Sequence, residues 1–468
     1  MIVLRDYQVE KMMNPVREAL LRGFRSPLLV APTGSGKTRV FAAICARMTA
    51  RGKRIVILVH RDELVQQVSE ALTDVGVTHG FIAAGAHYDR RYLAHVASVA
   101  TLYRRLDRVA VPDGVIADES HHVIAATMHG KCLAVWRKLN PKLWIIGVTA
   151  TPERLSGEGL GEIFDTMILG PTTRELIDAG WLSKYRLFAP ETVDTSGLHR
   201  RAGDFVRGEV DELMSKPKII GSVVNHYARI CNGMPGAAFC PSVAHAEKTA
   251  EQFRSAGFRA VSIDGAMARD VRRGIVADLR RGALNVLTSC DLISEGFDVP
   301  GLHAIMLLRP TQSLTIHLQQ IGRGLRPAEG KEYAIILDHV GNTARHGLPD
   351  VDRQWSLDGR AAREKREQDG EISNAVRQCL KCFAVSPAAA AKCVECGELF
   401  PAKPRQVEEV DGELAEIVVA HQRREAARAQ SMAKDMDSLI ALGKMRGYRN
   451  PMMWARHVLH GRRQKGRA

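Results

Sequence analysis

A chain of 468 residues, 45% apolar and 25% charged, has the make-up of a soluble globular protein with room for two or three separately packed domains. Its 66 Lys and Arg against 52 Asp and Glu leave a net charge of +14, and basic surface of that kind gains free energy by releasing counterions from phosphates, so a polyanionic partner is expected. The longest apolar runs, such as Ile55 to Val59, have strand length, well short of the roughly 20 residues of a membrane-spanning helix, and the N-terminus lacks the apolar core of a secretory signal; the expected location is cytoplasmic, with no membrane partner.

From the N-terminus, Leu4-Arg5-Asp6-Tyr7-Gln8 is followed by short apolar runs that alternate with helical stretches. Leu28-Leu29-Val30, Ile55 to Val59, Val115-Ile116-Ala117 and Trp144 to Val148 read as buried parallel strands, with helices at Thr38 to Arg51 and Asp62 to Val75,. That alternation predicts an α/β domain of doubly wound type over residues 1–185. Ala31-Pro32-Thr33-Gly34-Ser35-Gly36-Lys37-Thr38 joins the first strand to the first helix, the context in which a phosphate-binding loop works,. Gly34 and Gly36 let the backbone of Thr33 to Thr38 fold closely, so that its N–H groups face the phosphates of ATP at a helix N-terminus. Lys37 would sit on the β- and γ-phosphates, and Thr38 would offer its hydroxyl to Mg²⁺. Ala31 stands where the strict pattern has glycine. Further on, Val115 to Ala117 delivers Asp118 and Glu119 to the carboxyl end of a strand, where ligand sites of open α/β sheets lie,. Asp118 would hold Mg²⁺, and Glu119 would orient and deprotonate an attacking water, a base that hydrolysis requires.

Residues 186–217 read as a linker, polar and carrying Gly197, Gly203 and Gly208. A second α/β domain is expected over 218–345, with strands at Ala237 to Cys240, Ala260 to Ile263, Asn285 to Thr288, Ala304 to Leu308 and Tyr333 to Leu337. Residues 346–374 read as a charged linker. Within 375–402, Cys379, Cys382, Cys393 and Cys396 form two CxxC knuckles, the spacing of a zinc ribbon whose four thiolates hold a structural Zn²⁺. Iron in a rubredoxin-like site and a redox dithiol pair are the competing readings. The other five cysteines (Cys45, Cys132, Cys231, Cys240, Cys290) lie in apolar sequence and are expected to pack as small hydrophobes,. Residues 403–468 read as a basic helical segment with no acid after Asp437. Gly447-Tyr448-Arg449-Asn450-Pro451 and Trp454 there would grip nucleic acid, dock a protein, or form a merely solvated cap.

With the phosphate loop, Asp118-Glu119-Ser120-His121 resembles the DExH branch of superfamily 2 helicases. The resemblance runs over residues 1–345 and implies two tandem RecA-like domains. Leu4 to Gln8 is similar to the adenine-reading motif, which implies that Gln8 meets the base. Thr149-Ala150-Thr151-Pro152 is similar to motif III; with His121 and Gln319 it implies coupling between the nucleotide and the nucleic-acid track. Glu295 to Pro300 is similar to motif V, implying nucleotide contacts from Gly296 and Asp298. Gln319 to Arg326 is similar to motif VI, implying that Arg323 and Arg326 reach the γ-phosphate from the second domain only when the cleft closes. By the same resemblance His60 and Arg61 (motif Ia), Thr101 and Ser242 (motif IV) would meet the backbone of a single strand, which positions it without reading sequence. Leu337-Asp338-His339 and the cysteine module look like bacterial RadD-type and prophage-encoded DNA helicases.

The implied activity is that of an ATP-dependent DNA helicase or translocase, 3′ to 5′, in replication, recombination or repair. DNA is expected in preference to RNA. A replication or repair protein such as a single-strand binding protein is the expected partner, and no oligomer is required. An RNA helicase built on the same engine and an ATP-switched loading factor stay open. No nuclease motif is found, which leaves open a motor that serves a separate nuclease.

Overall fold

The computed structural model describes residues 4–154, 157–189, 194–201, 203–215, 217–290, 299, 301–361, 364, 375–400, 429, 432–433, 435–446 and 450–465. Its first sheet is built from β1 (Pro27–Val30), β2 (Ile55–Val59), β3 (His79–Ile82), β4 (Ala94–Ser98), β5 (Gly114–Ala117), β6 (Trp144–Thr149) and β7 (Thr166–Leu169). All pair in parallel, in the order β3-β4-β2-β5-β6-β1-β7. Every residue of β2 and β6 is buried, because helices cover both faces of a parallel sheet. One such helix, Lys37–Thr49, buries Val40, Phe41, Ile44 and Cys45 at the spacing of one helical face.

The second sheet recruits its edge from upstream. β8 (Lys184–Phe188) pairs in parallel with a strand about 150 residues later, so the second sheet takes a strand from upstream of residue 218, the expected start of the second domain. The connection that follows is structured in part. β9 (Arg200–Arg201) and β10 (Asp204–Phe205) form an antiparallel pair, and a helix spans Arg207–Met214. The Asp204 carboxylate anchors this pair by accepting from the Gln312 N–H at 2.7 Å and the Thr311 hydroxyl at 3.0 Å. β11 (Gly236–Phe239), β12 (Ala260–Ile263), β13 (Val286–Ser289), β14 (Ala304–Leu307) and β15 (Tyr333–Asp338) complete a parallel sheet of order β12-β13-β11-β14-β15-β8.

Residues 349–360, expected as a charged linker, run from the second domain back onto the first. The Asp350 carboxylate accepts from the Tyr185 hydroxyl at 2.6 Å and pairs with Arg174. Farther along, Leu357 O accepts from Gly161 N at 3.0 Å, and Arg360 N donates to Gly157 O at 2.7 Å. Trp355 and Leu357 pack against the apolar core of the first domain. The cysteine module carries β16 (Val376–Gln378) and β17 (Val385–Pro387), an antiparallel pair. It docks beside β8: Phe188 bridges to Ala384, and Ala189 N donates to Phe383 O at 3.0 Å.

The chain divides into two compact units, residues 1–400 and 401–468. In the second, helices Met436–Met445 and Pro451–Lys465 pack on one another, the first capped by Asp435, which accepts from Ser438 N at 2.8 Å. Among the described residues no helix is long and apolar enough to cross a membrane.

Candidate active site

The loop between β1 and the helix Lys37–Thr49 needs its glycines twice over. Gly34 and Gly36 sit at φ +87° and +80°, a region that favours glycine. A Cβ on Gly34 would also lie 2.8 Å from Leu182, and one on Gly36 would lie 2.2 Å from Gln8 Nε2. Gln8, 2% exposed, donates to Ser35 O at 3.1 Å and accepts from Arg5 N at 3.0 Å. Both ends of its carboxamide thus hold the backbone of this region. Tyr7 supports the same carbonyl, its hydroxyl donating to Ser35 O at 3.0 Å. The Lys37 ammonium folds back to donate to Ala31 O at 2.9 Å and Pro32 O at 3.1 Å.

Asp118 and Glu119 follow β5. Glu119 has φ +45°, strained for a residue with a Cβ. The turn is pinned where Ser120 Oγ donates to Ala117 O at 2.7 Å and accepts from Val148 N at 2.9 Å. Burial, and next the neighbouring Glu119 charge, push Asp118 above the usual carboxylate range. Burial alone would raise Glu119 too, but His121, Lys37, His60 and Arg323 outweigh it and hold the group low. His121 Nδ1 lies 3.4 Å from Glu119 Oε2 and 3.3 Å from Thr149 Oγ1. The Thr149 hydroxyl donates to Thr151 O at 2.8 Å, and the hydroxyls of Thr151 and Thr315 are 2.8 Å apart. A polar chain therefore leads from Glu119 to the second domain. On the other side the imidazole of His122 lies between those of His121 (4.2 Å) and His60 (4.4 Å), tilted against both, and reaches the loop after β2.

The second domain contributes the helix Leu314–Gly324, with Ser313 Oγ capping Ile316 N at 3.3 Å. Nearly all of this helix is buried although it carries Thr315, His317, Gln319, Gln320 and Arg323. So many buried polar groups are costly against an apolar neighbour and imply a polar one. Gly322 permits the approach, since a Cβ there would lie 2.6 Å from Thr33 Cβ. Gln319, 2% exposed, has no hydrogen-bond partner at either end of its carboxamide among the described residues. It lines a cavity of about 360 Å³ with Thr33, Gly34, Gly36, Lys37, Thr38, Asp118, Glu119, Arg323 and Arg326. Arg5 and Arg39 line it too, as does Trp181, over which the Arg5 guanidinium lies at 4.1 Å. Arg5, Lys37, Arg39, Arg323 and Arg326 face only Asp118 and Glu119, so the cavity suits a polyanion, and Thr38 and Asp118 are an oxygen pair that fits Mg²⁺. Burial lowers Lys37, Asp118 and Glu119 oppose that, and the charges of Arg326 and Arg323 add to it.

Gly296 and Asp298 lie outside the described residues. Among the candidates for the nucleic-acid track, His60 and Arg61 are half-buried at the carboxyl end of β2. Thr101 is 3% exposed inside the helix Val99–Arg104. Ser242 spends its hydroxyl capping the helix Val243–Ser255, accepting from His245 N at 3.0 Å and donating to Asp211. Sequence reasoning gave no role to Arg5, which lies within the Leu4 to Gln8 motif, or to Arg39 and Trp181, which belong to no motif; all three reach the cavity through folding.

The four cysteines of the module come together, all four sulfurs within 4.8 Å of one another. Cys379 and Cys396 are 3.7 Å apart, and Cys382 and Cys393 are 3.6 Å apart. Four thiolates about 2.3 Å from a tetrahedral Zn²⁺ would be spaced at nearly that distance, so the donor set fits the metal. Backbone N–H groups, that of Cys382 first, hold the Cys379 thiol below its ordinary value, whereas burial pushes Cys382 up to about 12.

Two family models match the chain: the res subunit of type III restriction enzymes over residues 1–154 and the helicase conserved C-terminal domain over 224–328. A 51.5 kDa protein of a Lactococcus phage (isolate 7-9) is 34% identical over 80% of this chain and 78% of its own. A Saccharomyces cerevisiae protein bearing the name of an ATP-dependent helicase, IRC3, is 27% identical over 72% of this chain, which spans about half (52%) of that relative. The fold is similar to that of a fragment assigned to the HsdR subunit of a type I restriction enzyme from Vibrio vulnificus YJ016, with a TM-score of 0.60 at 21% identity over 75% of this chain and 67% of the other.

Proposed function

The chain belongs to the helicases of superfamily 2 and is an ATP-hydrolysing enzyme, and from that premise we propose that it translocates on DNA, 3′ to 5′, in replication, recombination or repair. The observation that carries the reading is the cavity in which Lys37, Asp118 and Glu119 of one α/β domain meet Gln319, Arg323 and Arg326 of the other. Lys37 and the N–H groups that open its helix bind the β- and γ-phosphates of ATP. Thr38 and Asp118 are the residues that would hold Mg²⁺, which would supply positive charge to offset that of the phosphates. Glu119 orients the attacking water and takes its proton. Arg323 and Arg326 stabilise the charge developing on the γ-phosphate.

Because these groups sit on separate domains, turnover is tied to closure of the cleft, and the chain His121–Thr149–Thr151–Thr315 is the route by which the state of Glu119 is felt across it. His60 and Arg61, half-buried at the carboxyl end of β2, are the candidates for strand phosphates. The DNA assignment leans on the restriction-enzyme family model, restriction being a reaction of DNA. Strand displacement with ATP tests it on partial duplexes with a 3′ tail, a 5′ tail and an RNA tail. Displacement from the 3′ DNA tail is expected. Displacement from the 5′ tail alone would overturn the polarity, and displacement on RNA alone would overturn the DNA assignment.

A further inference from the structure

The helix Leu314–Gly324 is capped by Leu325 and followed at once by Arg326, and the last carbonyls of a helix have no partner within it. Two donors supply partners here. Lys331, half-buried in the loop before β15, donates from Nζ to Leu302 O at 2.6 Å, to Arg326 O at 2.9 Å and to Gly324 O. Ser183, immediately before β8, donates from its backbone N–H to Leu325 O at 2.8 Å and from its hydroxyl to Arg326 O at 3.3 Å. Lys331 and Ser183 therefore converge on one carbonyl, that of Arg326. Burial lowers Lys331 to about 8, so it is still a cation at neutral pH, which suits the negative end of a helix.

The neighbour of Ser183, Leu182, is the residue that a Cβ on Gly34 would strike at 2.8 Å, and that same Cβ would lie 3.7 Å from Arg326 Cγ. The segment Leu182-Ser183 thus touches the phosphate loop of the first domain and the backbone of Arg326 in the second. The peptides on either side of the Arg326 Cα are planar and both are held at their oxygens, Leu325 O by Ser183 N and Arg326 O by Lys331 and Ser183, which restricts the direction in which the Arg326 side chain leaves the backbone.

We propose that Lys331 and Ser183 are positioning residues that clamp the Arg326 carbonyl and so aim its guanidinium at the γ-phosphate. This rests on the reading of Arg326 as the group that stabilises the transferring phosphate. An ordinary helix cap would contribute stability alone. A clamp on Arg326 contributes to turnover only while Arg326 is present.

The test measures steady-state ATP turnover and melting temperature on the full chain, with saturating nucleic acid, for Lys331→Met, Ser183→Ala, Arg326→Ala and each of the first two combined with Arg326→Ala. Lys331→Met is expected to lower kcat by about 10- to 100-fold, the loss that follows a misplacement on the order of 1 Å, with KM for ATP within about threefold of the parent. Ser183→Ala is expected to lose less. On the Arg326→Ala background neither substitution is expected to lower kcat further. Parental kcat in Lys331→Met, or the same fold loss with and without Arg326, overturns the clamp. If Lys331→Met does not fold, the Ser183→Ala cycle decides by the same criterion. Full turnover by Arg326→Ala overturns the reading on which the clamp rests, and the clamp with it, whereas loss there without loss in Lys331→Met or Ser183→Ala overturns the clamp alone.

Discussion

Glu119 occupies a left-handed backbone conformation that costs a side-chain-bearing residue about 1–3 kcal/mol, and Ser120 ties the turn to two strands that enforce it. Strain held in place at that position makes sense if the carboxylate must stand at a fixed point in the cavity. Glu119→Gln keeps the shape and removes the base, so we expect ATP binding to persist while turnover falls by at least about 100-fold, within the range of general-base catalysis. Turnover at the parental rate would remove Glu119 from that role. At this scale the nucleotide site was largely legible, because Lys37, Asp118 and Glu119 each fall in a short string whose flanking strand and helix can be read from apolar periodicity. Lys331 and Ser183 were not legible, since their partners are backbone carbonyls and no pattern of residue types records them. Gln8, expected to meet the base, donates to the Ser35 carbonyl.

At the scale of elements, legibility followed burial. Strands buried on both faces, such as β2 and β6, announce themselves as unbroken apolar runs. β3, β7 and β8 sit at sheet edges with partly exposed faces, and their mixed sequences blend into the loops around them. β4 is fully buried, yet Ala94-His95-Val96-Ala97-Ser98 is made of small and polar residues and gave no apolar signal. The ribbon was legible as a cysteine pattern, but its attachment was not. Cys379, Ala384, Val385 and Cys393 join the apolar core of the second domain, and Arg186 of β8 pairs with Glu395, inside the second knuckle, at 2.8 Å from Nε. A metal that holds the knuckles would then stabilise more than the ribbon. Cys393→Ser is expected to lose bound zinc and to lower the melting temperature by several degrees. Zinc content equal to that of the parent would contradict the four-thiolate site.

For the whole molecule, the segment 349–360 matters most among the features that the sequence concealed. It reads as a charged linker because its partners, from Gly157 to Tyr185, lie about 170–200 residues away. In the fold it spans from one α/β domain to the other, so opening of the cleft must either carry this segment along or release Trp355 and Leu357 from the first domain. Both domains also keep buried histidines neutral. Burial, helped by His122 and His60, lowers His129 to about 4, and burial with His226 lowers His339 to about 3. The folded values are depressed, so their contribution is fully present above the ordinary histidine value of about 6.5 and is lost as acid is added. Each loses about 1.4 kcal/mol per pH unit down to its own folded value. The melting temperature is therefore expected to fall by several degrees between about pH 7 and about pH 5.5. A flat profile across that window would show that these imidazoles are protonated in the fold or exposed.

The cavity joining the two α/β domains is expected to turn over ATP in response to a nucleic-acid track. The measurement that tests it most directly is the steady-state rate of ATP hydrolysis with no polynucleotide, with single-stranded DNA, with duplex DNA and with single-stranded RNA. Strong stimulation by DNA, exceeding that by RNA, is the predicted result, and a rate that none of the three raises would contradict the account.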